Sequence, residues 1–94
     1  MSNDPEMQQI RATIAFGMDV EQFMQSSIGK YLTARANADI EDALERLKTI
    51  DPQDWKLIQS TQNEIHRAEM FLLWMGQAVT EGENATRAFV EASD

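Results

Sequence analysis

Thr49-Ile50-Asp51-Pro52-Gln53-Asp54 is the stretch on which the fold of this chain turns. Asp51 offers a side-chain acceptor to the free backbone N–H groups of a helix start. Pro52 suits the first helical position, and Asp54 places a second acid beside the positive end of the helix dipole. One helix therefore stops here and another begins almost at once. A connection this short favours antiparallel neighbours, so the pattern predicts an αα-hairpin over residues 28 to 81.

On the N-terminal side of the turn, Ile28, Leu32, Ala36, Ile40, Ala43, Leu47 and Ile50 recur every three or four residues. This is the apolar stripe of a first arm over 28–50. Its opposite face carries Asp39, Glu41, Asp42, Glu45, Arg46 and Lys48. Asp42 with Arg46 and Glu45 with Lys48 have the spacing of intrahelical ion pairs, each worth about 0.2–0.5 kcal/mol. On the C-terminal side, Ile58, Ile65, Leu72 and Val79 fall seven apart, with Thr61, Ala68 and Met75 between them. That heptad pattern predicts a second arm over 52–81. Gly82 reads as the residue just past its end. Ala85, Ala88, Phe89 and Ala92 then suggest a short tail helix over 83–93, although Glu81 to Asn84 also permit an unbroken passage.

The segment before the hairpin opens with Asp4-Pro5-Glu6, an N-cap followed by a proline and an acid. Met7, Ile10 and Ile14 continue it as far as Gly17. Asp19 with Gln22 is placed to cap a further turn whose apolar side is Val20, Phe23 and Met24. Residues 5–25 thus read as one kinked helix or two short ones. With no strand pattern anywhere, the expected fold is a single all-α domain over residues 1–94: a long antiparallel helical hairpin flanked by short N-terminal helices and a short C-terminal one.

Such a fold has trouble hiding its apolar residues. Arms of 22 to 30 residues are about 33–45 Å long, and two of them make a seam without an enclosed core. Ile10, Ile14, Phe16, Phe23 and Met24 can cover part of it. Met70-Phe71-Leu72-Leu73-Trp74-Met75 is nevertheless apolar around the whole helix, the pattern of a helix buried on all sides. A chain of 94 residues gains stability most readily by self-association. A homo-oligomer is therefore expected, with Ile65, Phe71, Leu72, Trp74, Met75 and Val79 at its interface; the alternative is a monomeric four-helix fold whose short helices wrap the girdle.

Composition narrows the chemistry. There is no Cys, hence no disulfide and no thiolate chemistry. His66 is the only histidine, and Asn63 stands where a Glu-x-x-His metal motif needs its Glu, so no metal or cofactor is expected. No Gly-x-Ser-x-Gly elbow, Walker loop or Gly-x-Gly-x-x-Gly fingerprint occurs, and the expectation is a protein that is not an enzyme. The start Met-Ser-Asn-Asp-Pro-Glu lacks the basic and apolar regions of a signal peptide. No apolar run approaches the ~20 residues that cross a bilayer, so no membrane partner is expected.

Sixteen acids against eight bases give a formal net charge of −8, which disfavours nucleic-acid binding and favours protein partners. By region the balance is −3 over residues 1–27, 0 over 28–50 and −5 over 51–94. The neutral arm opens with Ser26-Ser27-Ile28-Gly29-Lys30-Tyr31, followed by Arg35. Free N–H groups, two hydroxyls, a glycine and a cation at a helix start suit an anion, and Tyr31 can stack on a base. Ser26, Ser27, Gly29, Lys30, Tyr31 and Arg35 thus form a candidate anion or nucleotide site. The plainer reading, which outweighs this one, is that the serines cap the helix and Gly29 only lets two helices approach.

The runs Phe23 to Leu32, Ile50 to Asp54 and Ile65 to Phe71, with Trp74 and Glu81-Gly82-Glu83, resemble a family of small helical proteins encoded by tailed bacteriophages and prophages. The resemblance implies a viral origin, action in an infected bacterial cytoplasm or in the virion, and no particular mechanism. Ala68, Trp74 and an Ala-Val pair before a polar stop are also similar to phage sponge proteins that sequester cyclic nucleotide signals. Two functions follow as expectations. One is a non-catalytic virion-assembly or minor structural component acting by protein contact. The other is an anti-defence inhibitor that binds a cyclic nucleotide or presents its acids as a mimic of DNA.

Overall fold

The computed structural model describes residues 4–93; Met1 to Asn3, where the stretch read for a leader begins, and Asp94 lie outside the described residues. Three helices account for almost all of them: α1 (Pro5–Gln25), α2 (Ser27–Leu47) and α3 (Trp55–Ser93). There is no strand among the described residues, and the fold is all-α.

α1 begins as its sequence dictates, with the Asp4 carboxylate accepting from the Glu6 N–H at 3.0 Å and Pro5 at the first helical position. The break expected near Gly17 and Asp19 does not occur. The helix runs through all 21 residues because Gly17 serves a different purpose. A Cβ at Gly17 would lie 2.9 Å from the Ala78 carbonyl oxygen and 2.9 Å from the Cα of Gly82. Gly17 and Gly82 mark the point where two helix backbones touch, which also corrects the reading of Gly82 as a helix end. No glycine here has positive φ, and α3 continues through Gly82 as one helix of 39 residues. The arm over 52–81 and the tail helix over 83–93 are thus one element.

The connection between α2 and α3 spans residues 48–54 and is longer than its sequence reading, which ends one arm at 50 and begins the next at 52. Asp54 N–H donates to the Asp51 carbonyl at 2.9 Å, and the Asp51 carboxylate accepts from Gln53 N–H at 2.9 Å. Pro52 therefore sits inside a turn and not at the first helical position. Asp54 is the residue that caps α3, accepting from Leu57 N–H at 3.2 Å. The first arm correspondingly ends at Leu47 and leaves Ile50 in the connection.

α3 is the spine of the molecule. At 1.5 Å per residue it is about 58 Å long, close to the 62 Å long axis of the chain. α2 lies along its N-terminal half, with Arg46 paired to Glu64 and Leu32 beside Phe71. α1 lies along its C-terminal half, with Gly17 against Gly82 and Arg11 over the Phe89 ring. In both cases higher numbers on one helix meet lower numbers on the other, so α1 and α2 run in succession opposite to α3. The result measures 62 × 28 × 18 Å with a radius of gyration of 18.9 Å. A globular chain of this length has about 12 Å.

Close approach determines what is buried. Among the described residues Gly17, Val20, Gly29, Ala36, Ala43, Thr61 and Gly82 are the buried ones, all but Val20 and Thr61 being Gly or Ala. Gly29, Ala36 and Ala43 stand seven apart on α2; Gly29 is pressed against the last turn of α1, and Ala36 and Ala43 are buried on the face that packs along α3. The expected apolar stripe of α2 is turned inward from Ala36 to Leu47 and departs only at its start, where Gly29 and Thr33 face inward in place of Ile28 and Leu32. Thr33, Ile40 and Leu47 are half-buried beside the small residues, whereas Ile28 is 66% exposed and Leu32 37%. On α3, Ile58, Ile65, Leu72 and Val79 are half-buried in the seam, and Thr61 is buried with its hydroxyl donating to the Leu57 carbonyl at 2.8 Å.

Candidate functional site

The start of α2 is built around Ser26, the one non-helical residue between α1 and α2, whose backbone is extended at φ −71°, ψ 162°. Its N–H still donates to Gln22 and Phe23 carbonyls of α1, while its hydroxyl donates to the Phe23 carbonyl and accepts from Gly29 N–H at 3.0 Å. One side chain thus closes α1 and caps α2. Gly29 is held so close to the preceding turn that a Cβ would come 1.7 Å from the Phe23 carbonyl oxygen. The glycine and the first serine are therefore accounted for by the sharp change of direction between two helices. The positive end of α2 faces the carbonyl end of α1.

The side chains expected to converge there divide between two grooves. Lys30 lines a depression with Glu21, Met24, Gln25, Gly76 and Val79. Arg35 lines a different groove between α2 and α3, together with Ala36, Asp39, Asp42, Arg46, Glu64 and Arg67. Ser27 and Tyr31 are exposed. Tyr31 and Asp39 both hydrogen-bond the Arg35 guanidinium and stabilise its charged form, raising its pKa, with Asp39 at 3.2 Å.

The Arg35 groove is a belt of alternating charge. Arg46 reaches Glu64 across the two helices and Asp42 at 3.0 Å on its own helix, and these acceptors, Glu64 foremost, raise its pKa. Lys48 pairs with Glu45 at 2.9 Å nearby. His66 is exposed and takes no part in the ion pairs among the described residues.

The apolar girdle of α3 also divides. Ile65, Phe71, Leu72, Met75 and Val79 are half-buried, and four of them, Ile65, Leu72, Met75 and Val79, follow the seam spacing toward α1 and α2. Trp74 is 62% exposed and Leu73 48%. Phe16, counted above among the covering residues, is itself 62% exposed. Two surface features do not stand out in the sequence: Leu73, which reads only as part of the girdle, and Gly76. Its signal was a glycine in the middle of an otherwise regular heptad helix, where a glycine costs about 1 kcal/mol relative to Ala.

Among the described residues no group of three or more His, Cys, Asp or Glu is arranged to hold a metal ion. Among the same residues, no helix is long and apolar enough to cross a membrane. Compared with protein-family models, with curated proteins and with solved structures, the chain matches none.

Proposed function

We propose that this chain is a non-catalytic protein of tailed bacteriophages, a long antiparallel helical hairpin that works as a homo-oligomer in virion assembly or as a minor structural component. The observation that carries this reading is surface. The chain exposes 7133 Å², whereas a compact monomer of its mass exposes about 5500 Å². The excess of roughly 1600 Å² is twice the ~800 Å² that each partner gives to an ordinary stable interface. Part of it is apolar and large, including Trp74, Leu73, Phe16 and Ile28. The phage assignment rests on the sequence resemblance alone.

Light scattering on the purified chain tests the assembly directly. The expected mass is at least twice 10.7 kDa, and a monodisperse monomer removes the reading. Mass spectrometry of purified particles or assembly intermediates from the encoding phage tests the role, with the chain expected among their proteins. Sequestration of a cyclic nucleotide is the competing proposal. It asks Lys30 and Arg35 to serve one ligand from separate grooves, and therefore ranks below action by contact.

A further inference from the structure

The chain has four glycines, and three of them have a structural reason inside the molecule. Gly17 and Gly82 let α1 and α3 touch, and Gly29 lets α2 fold back on the last turn of α1. Gly76 has none. It lies inside α3, two residues from the midpoint of that helix, it is exposed, and a Cβ built on it meets no atom within 4 Å. Gly76 belongs to two shallow depressions whose floors are largely apolar. Leu72 and Leu73 line one, edged by Gln77, Thr80 and Glu81; Met24 and Val79 line the other, edged by Glu21, Gln25 and Lys30.

A glycine in a helix interior weakens the helix, and in this molecule each of the other three marks a place where backbone meets backbone. We infer that Gly76 marks a fourth such place, between molecules: a second copy of this chain packs its α3 against the Gly76 face of the first, the two backbones approaching at Gly76 with Leu73 of each copy in the contact. This rests on the self-association proposed above and gives it a location. Three observations select a second copy as the occupant. The excess exposed area is ample for a dimer interface. The face lies at the middle of the rod, where a two-fold axis overlaps two copies along their whole length. The contact is of the same kind, glycine in a helix-helix seam, that the chain already uses within itself.

The test turns on the sign of one substitution. Within an isolated copy, Gly76→Ala enters open space and strengthens the helix. Across a close contact it pushes two backbones apart, and Gly76→Leu does so further. Dimer dissociation constants are read by sedimentation for wild type, Gly76→Ala, Gly76→Leu and Asn63→Ala, an exposed α3 position away from the groove, with helix content followed by circular dichroism. The expected result is weakening that grows from Ala to Leu, reaching about tenfold or more for Leu, with helix content kept and Asn63→Ala unchanged. Undiminished dimerisation of Gly76→Leu overturns the inference. If in that case Trp74→Glu dissociates the dimer, self-association stands and only its placement at Gly76 falls. A wild type that stays monomeric at every concentration overturns both.

Discussion

Gly29 and Ser26 show how much can depend on two small side chains. The obstacle a Cβ would meet at Gly29 is the Phe23 backbone, which no rotamer change can move aside. Gly29→Ala is expected to cost about 3 kcal/mol of folding stability in urea titrations. Ser26→Ala removes the cap of α2 and should cost about 1 kcal/mol in the same measurement. If Gly29→Ala were as stable as wild type, the tight junction between α1 and α2 would be wrong. In sequence these residues look like an anion-binding helix start, because serines, a glycine and a lysine suit either purpose. What separates the two readings is the path of α1 into the junction, which is a tertiary fact and leaves no local signature. Lys30 and Arg35 are five residues apart, far enough around the helix to serve different grooves.

At the level of the element, periodicity and the caps at Asp4 and Ser26 are dependable guides, and the glycines mislead. The seven-residue spacing of α3 is plain from Ile58 to Val79, since every member is medium or large and apolar apart from Thr61 and Ala68. On α2 the stripe is legible from Ala36 to Leu47 and misleads only at its start, where hydrophobicity ranks Ile28 and Leu32 above Gly29 and Thr33. Gly17 and Gly82 looked like stops for the same reason: a glycine that ends a helix and one that admits a neighbour are identical in one dimension. At the turn, Asp54 is the cap of α3 and Asp51 serves the turn only. Asp54→Ala is therefore expected to destabilise the fold by about 1 kcal/mol, more than Asp51→Ala does, as read from thermal unfolding.

Across the whole molecule, α2 and α3 are joined by a short turn, whereas α1 reaches α3 only after most of the chain has been traversed. Closing the larger loop costs more entropy, so the α2–α3 seam should form first and α1 should dock late. Substitutions at Ala43 or Thr61 are expected mainly to slow folding, and substitutions at Gly17 or Gly82 mainly to speed unfolding, in stopped-flow measurements. The reverse pattern would place the nucleus at the other end of the rod. The Arg46–Glu64 pair ties α2 to α3 from a solvent-exposed position. Because the Arg46 pKa is raised on folding, its contribution is complete below the usual arginine range and is lost only as pH rises beyond it. A double-mutant cycle on the two residues should show coupling at neutral pH that fades as salt is added.

The passage of Arg11 across the Phe89 ring puts the start of α1 beside the end of α3. The rod is thus a nearly closed circuit, interrupted at one tip and turned back at the other by Asp51 to Asp54. A short linker from Pro5 to Ser93 together with a cut in that turn would yield a circular permutant with every helix intact. Reporter groups attached at Pro5 and Ser93 would lie at one tip and leave the far tip, and the long faces between, free to assemble.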